Sequence, residues 1–328
     1  MDDGFYCGHL MSLFRNPWPH DEHGILDIAR WKLKWGPQEP AVMPDAPDAP
    51  AERKQVRREE IATPPMKGWR VTWLGHASFL VQGGGVSILI DPVFSEFCAP
   101  LPLPGLRRLT PLPCGVADLP AIDLVLLTHG HYDHLDLPAL RGLGLDMRII
   151  IAEGHSEWLT RKGFKNVSEL AWGRSVEIFP DLTAIATPAQ HFTARTPWDR
   201  NHGHWCGWLL EGFGCKIWHA GDSGYCPAFA EIGERHGPID FGMIPIGAYQ
   251  PQRIMKAMHM TPEEAVRVFE ETRCRRAMAM HWGTFRLTDE PMGEPSLRLE
   301  QALMRKGIGP ERFEAAAVGS IREIQPFG

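Results

Sequence analysis

The apolar positions of this chain fall into many short runs, most of them ending on a polar, chemically capable residue. Residues 70–74 alternate as a strand and stop at Gly75-His76. Residues 78–82 and 86–90 read as two further strands joined across Gly83-Gly84-Gly85, a hairpin turn, and the second ends at Asp91-Pro92. Residues 122–127 form an almost unbroken apolar run, the mark of a strand buried on both faces. Further strands are expected at 148–152, 166–170, 182–187, 205–211, 215–219, 244–249 and 276–280, with Gly212-Phe213-Gly214 turning between two of them. Helical spacing appears at 137–143, 155–162, 263–271 and 296–306. Thr261-Pro262-Glu263-Glu264 is a capping box with proline at the first helical position, and Gly307 stops the last helix.

Three regions break this pattern. Residues 1–36 form an aromatic arm with Phe5, Tyr6, Phe14, Trp18, Trp31 and Trp35, and 27–35 predicts a short helix carrying Ile28, Trp31 and Trp35 on one face. The arm is expected to pack on the domain surface, with membrane contact or substrate cover as the sharper alternative. Residues 37–65 are rich in proline and charge, a composition that predicts an extended, mobile linker before a domain at 66–328. Residues 95–120 carry many prolines and little periodicity, and loops of that length inside a domain usually cover a site.

Composition narrows the class. A chain of 328 residues with 44% hydrophobic residues can bury a sizeable core. No run is long enough to span a bilayer and no signal-peptide pattern opens the chain, so a cytoplasmic location is expected, compatible with peripheral contact at a membrane. The net charge of −6, without a basic block, argues against a nucleic-acid partner. Seven cysteines with no C-x-x-C pair do not make a disulfide framework and fit a reducing compartment.

The candidate chemistry sits just past the 122–127 run, in Thr128-His129-Gly130-His131-Tyr132-Asp133-His134-Leu135-Asp136. Imidazoles and carboxylates packed this densely would each carry a desolvation cost if unpaired. A shared cation removes that cost, and neutral imidazole with carboxylate suits zinc or iron better than magnesium or calcium. Other strand ends deliver His191, Asp222 and His281 in the same way. Asp91, at its own strand end, is either a turn former or a carboxylate that orients a ligand from behind.

Together these residues resemble the metallo-β-lactamase fold superfamily, whose pattern is H-x-H-x-D-H followed by a distant His, Asp and His. More closely, the chain resembles its N-acylphosphatidylethanolamine-hydrolysing phospholipase D branch. The likeness runs from about Trp69 onward through Thr72-Trp73-Leu74-Gly75-His76-Ala77, Asp91-Pro92-Val93-Phe94-Ser95, Ala220-Gly221-Asp222-Ser223-Gly224-Tyr225, Ile244-Pro245-Ile246-Gly247-Ala248-Tyr249 and His281-Trp282-Gly283-Thr284-Phe285. It includes Asn16-Pro17-Trp18-Pro19 in the arm. It departs at Gly130, where that branch tends to carry a larger polar residue, and at Gln250-Pro251-Gln252-Arg253-Ile254.

The resemblance implies an α/β fold of αββα sandwich type with the site at one edge of two facing sheets. It implies two metal ions, zinc first with iron or manganese as alternatives. One would be held by His129, His131 and His191, the other by Asp133, His134 and His281, with Asp222 bridging. His76, Asp91 and Tyr249 are expected around these ligands or at the substrate, and Asp133 takes part in catalysis as a ligand. His259, two residues before the capping Thr261, matches a histidine of the branch and is expected to hydrogen-bond the phosphate or protonate the leaving oxygen. The implied activity is phosphodiester hydrolysis of a phospholipid, with a homodimer compatible with it. The rivals are a same-fold hydrolase of a lactone or sugar-phosphate, a mononuclear iron oxygenase and a binding module without activity.

Overall fold

The computed structural model describes residues 13–21, 23–35, 39–40 and 42–326. Phe5, Tyr6 and the rest of the expected arm before Leu13 lie outside the described residues. The elements in order are α1 (Ile25–Lys32), α2 (Arg58–Ile61), β1 (Trp69–Gly75), β2 (Ser78–Gly83), β3 (Val86–Ile90), β4 (Leu124–Leu127), α3 (Leu137–Leu143), β5 (Arg148–Ala152), α4 (Ser156–Arg161), β6 (Asn166–Leu170) and β7 (Ser175–Phe179). They continue with β8 (Leu182–Thr187), β9 (Gly207–Gly212), β10 (Cys215–His219), α5 (Ala228–His236), β11 (Ile239–Pro245), α6 (Gln252–Met255), α7 (Pro262–Glu271), β12 (Cys274–Met280), α8 (Glu294–Lys306), β13 (Phe313–Glu314) and β14 (Ile321–Ile324).

The strands build two seven-stranded sheets, in the orders β14-β1-β2-β3-β4-β5-β6 and β13-β12-β11-β10-β9-β8-β7. The two-residue period of each strand divides its side chains between two cores. From the first sheet, Phe79, Val81, Ile88, Ile90, Leu124 and Leu126 enter one core with Trp208, Leu210, Ile217 and Trp218 of the second sheet. Their neighbours Leu80, Leu89, Val125 and Leu127 point the other way, onto Leu140 of α3 and Leu159 of α4. Helix α7 packs on β11 and β12, with α5 and α8 beside it. The result is the αββα sandwich that the resemblance implies. Fully burying each such side chain contributes on the order of 1.5–3 kcal/mol, so one polar substitution on either face of β4 would be costly.

Helix α7 begins as the capping box requires. The Thr261 hydroxyl accepts from the Glu264 N–H at 3.2 Å and the Glu264 carboxylate accepts from the Thr261 N–H at 2.9 Å.

Four expectations need correction. The stretch read as a mobile linker is built into the fold from Ala51 on: the Lys54 and Val56 N–H groups donate to the Val318 and Pro113 carbonyls, and Val56 and Ile61 are buried. An extended, proline-rich chain can be docked as well as loose, and composition does not distinguish the two. Trp35 lies beyond α1 and is 69% exposed, while Trp31 is buried. The strand expected at 244–249 is Ile239–Pro245, so Tyr249 belongs to a loop. Finally, 95–120 contains two short 3-10 turns, Pro104–Leu106 and Val116–Asp118.

Candidate metal centre

The ligand-bearing loop leaves β4 at Thr128 and is tied down from several sides. The Thr128 N–H and hydroxyl donate to the Asp91 carboxylate at 2.8 and 2.6 Å. The same carboxylate lies 2.6 Å from His134 Nδ1, which turns Nε2 of that ring towards Asp222 at 3.0 Å. Asp91 thus stands behind the loop, fixing the orientation of His134. Asp136 has turned away from the cluster. It accepts from the Phe94 and Ser95 N–H groups and caps α3.

Gly130 sits in tight surroundings. A Cβ there would lie 2.8 Å from the His155 ring and 2.9 Å from the Thr193 hydroxyl. Arg195 then brackets the loop, donating to the Gly130 and Leu135 carbonyls at 2.6 and 3.0 Å.

Three of the surrounding residues pay for their position in backbone conformation. His76, Asp91 and His281 have φ of 54°, 44° and 59°, a left-handed region that costs non-glycine residues roughly 1–3 kcal/mol each. Each stands directly after a strand, β1, β3 and β12, so the turn aims its side chain into the sheet edge instead of along it.

The side chains converge in two groups. His129 Nε2 approaches His131 Nδ1 at 2.8 Å, and His191 Nε2 approaches His131 Nδ1 at 3.2 Å. The His191 ring is held from behind by the Met258 carbonyl at 2.9 Å from Nδ1. On the other side stand Asp133, His134, His281 and also His76, whose Nε2 is 2.8 Å from the Asp133 carboxylate. Asp222 lies between the groups, its Oδ2 2.9 Å from His281 Nε2, 3.0 Å from His134 Nε2 and 3.7 Å from His191 Nε2. His259 flanks them, its ring centroid 5.0 Å from those of both His191 and His281.

The chemistry of this cluster fits cations. Burial holds the His129 and His191 imidazoles well below their ordinary range and pushes His131 down to about 4, so their nitrogens carry lone pairs. Burial also lowers His76 and His259, each to about 3. Burial opposes charge on His134 and His281 too, but Asp222 and Asp133 outweigh it, and His281 rises to about 9. The partnering histidines in turn hold both carboxylates well below the usual range. His281 Nδ1 and Asp222 Oδ1 are buried without a hydrogen-bond partner. Imidazole nitrogens and carboxylate oxygens meet here within 4.8 Å of one another, the donor set and spacing that suit a shared cation.

Not every expected residue faces this centre. Tyr249 is fully buried with its hydroxyl on Glu294 at 2.9 Å, behind the site. The cause is Ala248, whose φ of 66° turns the chain at the cavity wall while Glu290 accepts the Ala248 and Tyr249 N–H groups. Ala248 lines the cavity in its place. The roles of Thr128, which ties the loop to Asp91, and of Arg195 are not legible in the sequence, since neither has a metal-ligating side chain to draw attention.

The centre opens into a cavity of about 830 Å³. His131, Asp133, His191, Asp222 and His259 line its floor. One wall is apolar, with Ile28 and Trp31 of α1 packed against Met255, Met258 and Phe192. The Trp31 indole anchors that wall by donating to Asp289 at 2.6 Å. Arg15, Asn16, His20 and His23 of the arm close another side, and Leu106 from the proline-rich loop also reaches it.

Comparison with known proteins places these features. Residues 87–282 match the family model described as the beta-lactamase superfamily domain. The N-acyl-phosphatidylethanolamine-hydrolyzing phospholipase D 1 of Caenorhabditis elegans is 36% identical over 270 residues, covering 78% of this chain and 76% of that protein. The mitochondrial N-acyl-phosphatidylethanolamine-hydrolyzing phospholipase D of Saccharomyces cerevisiae is 33% identical over 315 residues, covering 90% of this chain and 67% of that protein. The crystal structure of isothiocyanate hydrolase from Delia radicum gut bacteria aligns with a TM-score of 0.65 at 22% identity, over 79% of this chain and 100% of that one, a likeness of fold alone. With its two facing sheets and its His/Asp cluster at their edge, the chain belongs to the metallo-β-lactamase superfamily, as a metal-dependent hydrolase close to the N-acylphosphatidylethanolamine-hydrolysing phospholipase D branch.

Proposed function

We propose that this chain is a binuclear phosphodiesterase of phospholipase D type, using two zinc ions to cleave N-acylphosphatidylethanolamine into N-acylethanolamine and phosphatidic acid. The observation that carries the reading is the placing of two ligand groups, with Asp222 between them, on the floor of a cavity whose wall is apolar. A phosphodiester flanked by acyl chains matches that division between charged floor and greasy wall. His129, His131 and His191 would hold one cation, and Asp133, His134 and His281 the other, with Asp222 between them and His76 beside the second group. Such a pair, when bound, supplies a more acidic water and offsets negative charge on phosphorus.

The chain's own residues account for the rest. Asp91 and the Met258 carbonyl fix the two rings, His134 and His191, that meet at Asp222. Trp31, Met255, Met258 and Phe192 exclude water from the acyl side. Arg15 and Lys32 bring positive charge to the same cavity for an anionic headgroup. His259 stands at the floor with its ring held neutral by burial, placed to hydrogen-bond the phosphate, or to give a proton to the departing oxygen once the anionic phosphate beside it raises its pKa. Water is consumed, the phosphorus–oxygen bond to the N-acylethanolamine breaks, and the proton ends on that alcohol.

No helix among the described residues is long and apolar enough to cross a membrane. Access to lipid on this reading is peripheral, from a cytoplasmic location. Leu26 on the helix that walls the cavity and Leu33 at its C-cap, 73% and 58% exposed, support it. A homodimer would be compatible with this arrangement.

The test is turnover of N-acylphosphatidylethanolamine by purified protein, with products identified by mass and metal counted per chain. N-acylethanolamine with phosphatidic acid, at two zinc per chain, supports the reading. Turnover of soluble diesters or lactones alone would favour another ester, and one iron per chain an oxygenase.

A further inference from the structure

The arm carries Asn16-Pro17-Trp18-Pro19, outside the span matched by the family model, and its first residue reaches the metal centre. His191 follows β8 after a short loop, and its own N–H and C=O stand outside the sheet ladder. The side chain of Asn16, 175 positions earlier, takes both. Its Nδ2 donates to the His191 carbonyl at 2.9 Å and its Oδ1 accepts from the His191 N–H at 3.2 Å. An amide does here what a neighbouring strand would do. Only asparagine or glutamine offers a donor and an acceptor side by side in this way.

The arm is docked so that this contact is registered from both sides. The Phe14 N–H donates to the Asn201 carbonyl at 3.0 Å and the Phe14 ring packs on His204 at 4.6 Å. Beyond Pro17, Trp18 stacks on Trp172 at 5.9 Å. The chain bends at Pro17 and Trp18, and proline at 17 and 19 fixes φ on either side of the tryptophan. With the Met258 carbonyl fixing the ring through Nδ1, His191 is held at ring and backbone by two distant segments.

We infer that Asn16 is a positioning residue for His191, and that through it the arm sets the affinity of the His129/His131/His191 group for its cation. The inference rests on the binuclear reading above, and the test separates the two.

Asn16→Ala removes the amide, and Asn16→Leu keeps its volume without its hydrogen bonds. Zinc affinity is measured for the full-length wild type and both variants by competition with a chelator, at a temperature where the metal-free proteins remain folded. The cobalt(II)-substituted absorption spectrum and the thermal midpoint of the metal-free forms are recorded alongside. Partners that orient a ligand from behind typically change metal affinity by about 10- to 100-fold. One of two zinc ions should weaken by that factor in both variants, with an altered cobalt spectrum and no matching loss for the second ion. Unchanged affinity and spectrum overturn the inference while leaving the binuclear reading intact. So does a fall confined to the metal-free thermal midpoint, since that marks a purely structural contact. A wild type that binds no divalent metal removes both the inference and the reading beneath it.

Discussion

Asp91 and His134 are both completely buried, 2.6 Å apart, and Asp91 holds that contact from a left-handed backbone conformation. Asparagine tolerates the same conformation, so Asp91→Asn isolates the loss of charge from backbone strain. The variant is expected to fold and to bind metal about 10- to 100-fold more weakly, as measured by zinc content after dialysis against chelator. Asp222→Asn should be more severe, because it alters a carboxylate shared by both groups. Near-wild-type turnover with full metal content in Asp222→Asn would sink the binuclear reading.

His259 lines the cavity floor without belonging to either of the expected ligand sets. His259→Ala should leave metal content unchanged and lower kcat about 100-fold or more, the usual scale for a positioned proton donor. The loss should shrink for a diester whose leaving group is already acidic. Equal losses on both substrates would point to phosphate binding instead of proton transfer.

Leu26 on α1 and Leu33 at its C-cap are exposed, while the opposite side of the helix walls the cavity. Replacing both with serine touches no core contact, so the thermal midpoint should scarcely move. Partition onto phospholipid vesicles should weaken by roughly tenfold or more, in line with the apolar area removed from the lipid contact. Turnover of a short soluble diester should stay unchanged. A sedimentation assay with vesicles checks the first point and a chromogenic diester the second.

Glu263 gives a pH signature away from the metal centre. Burial would raise its carboxyl, but the Arg298 guanidinium, donating at 2.7 and 3.2 Å, outweighs burial and holds it below the usual range. The unfolded chain therefore binds this proton more readily than the folded one. The stabilisation is complete above about pH 4.3 and is lost as pH falls through the lowered folded value. Thermal midpoints of wild type and Glu263→Gln should differ near neutrality and converge in acid. A gap that stays constant down to pH 3 would contradict the linkage.

What could be read from the chain followed from one rule, that a buried strand announces itself and its polar terminus is then conspicuous. β4 with His129, β8 with His191, β10 with Asp222 and β12 with His281 all obey it. The rule fails where conformation instead of composition decides. Nothing in the letters marks His76, Asp91 and His281 as left-handed, since only glycine advertises that state. Nor does anything mark Ala248, whose turn sends Tyr249 under α8 and away from the cavity. β7 is hard to read because only Ile178 of its residues is buried and it lacks a continuous apolar run. Asn16 stands in a motif that marks the resemblance, but its contact with His191, like those of Arg195, falls on backbone atoms, and such contacts leave no trace of residue type at the receiving end.

The pairing of β1 with β14 carries a consequence for how the protein is made. Trp69 sits opposite Ile324 and Thr72 opposite Ile321, so the first sheet gains its outer strand from a segment roughly 250 residues downstream. During synthesis, the edge of β1 emerges early and waits with its hydrogen-bonding groups unclaimed, a template for pairing with another nascent chain. The ribosome must deliver the roughly 250 residues between the two strands before that edge is covered. Chaperone demand and inclusion-body formation should therefore respond more to lesions in the 321–324 segment than its small size suggests, while its removal leaves every residue of the metal centre in the chain.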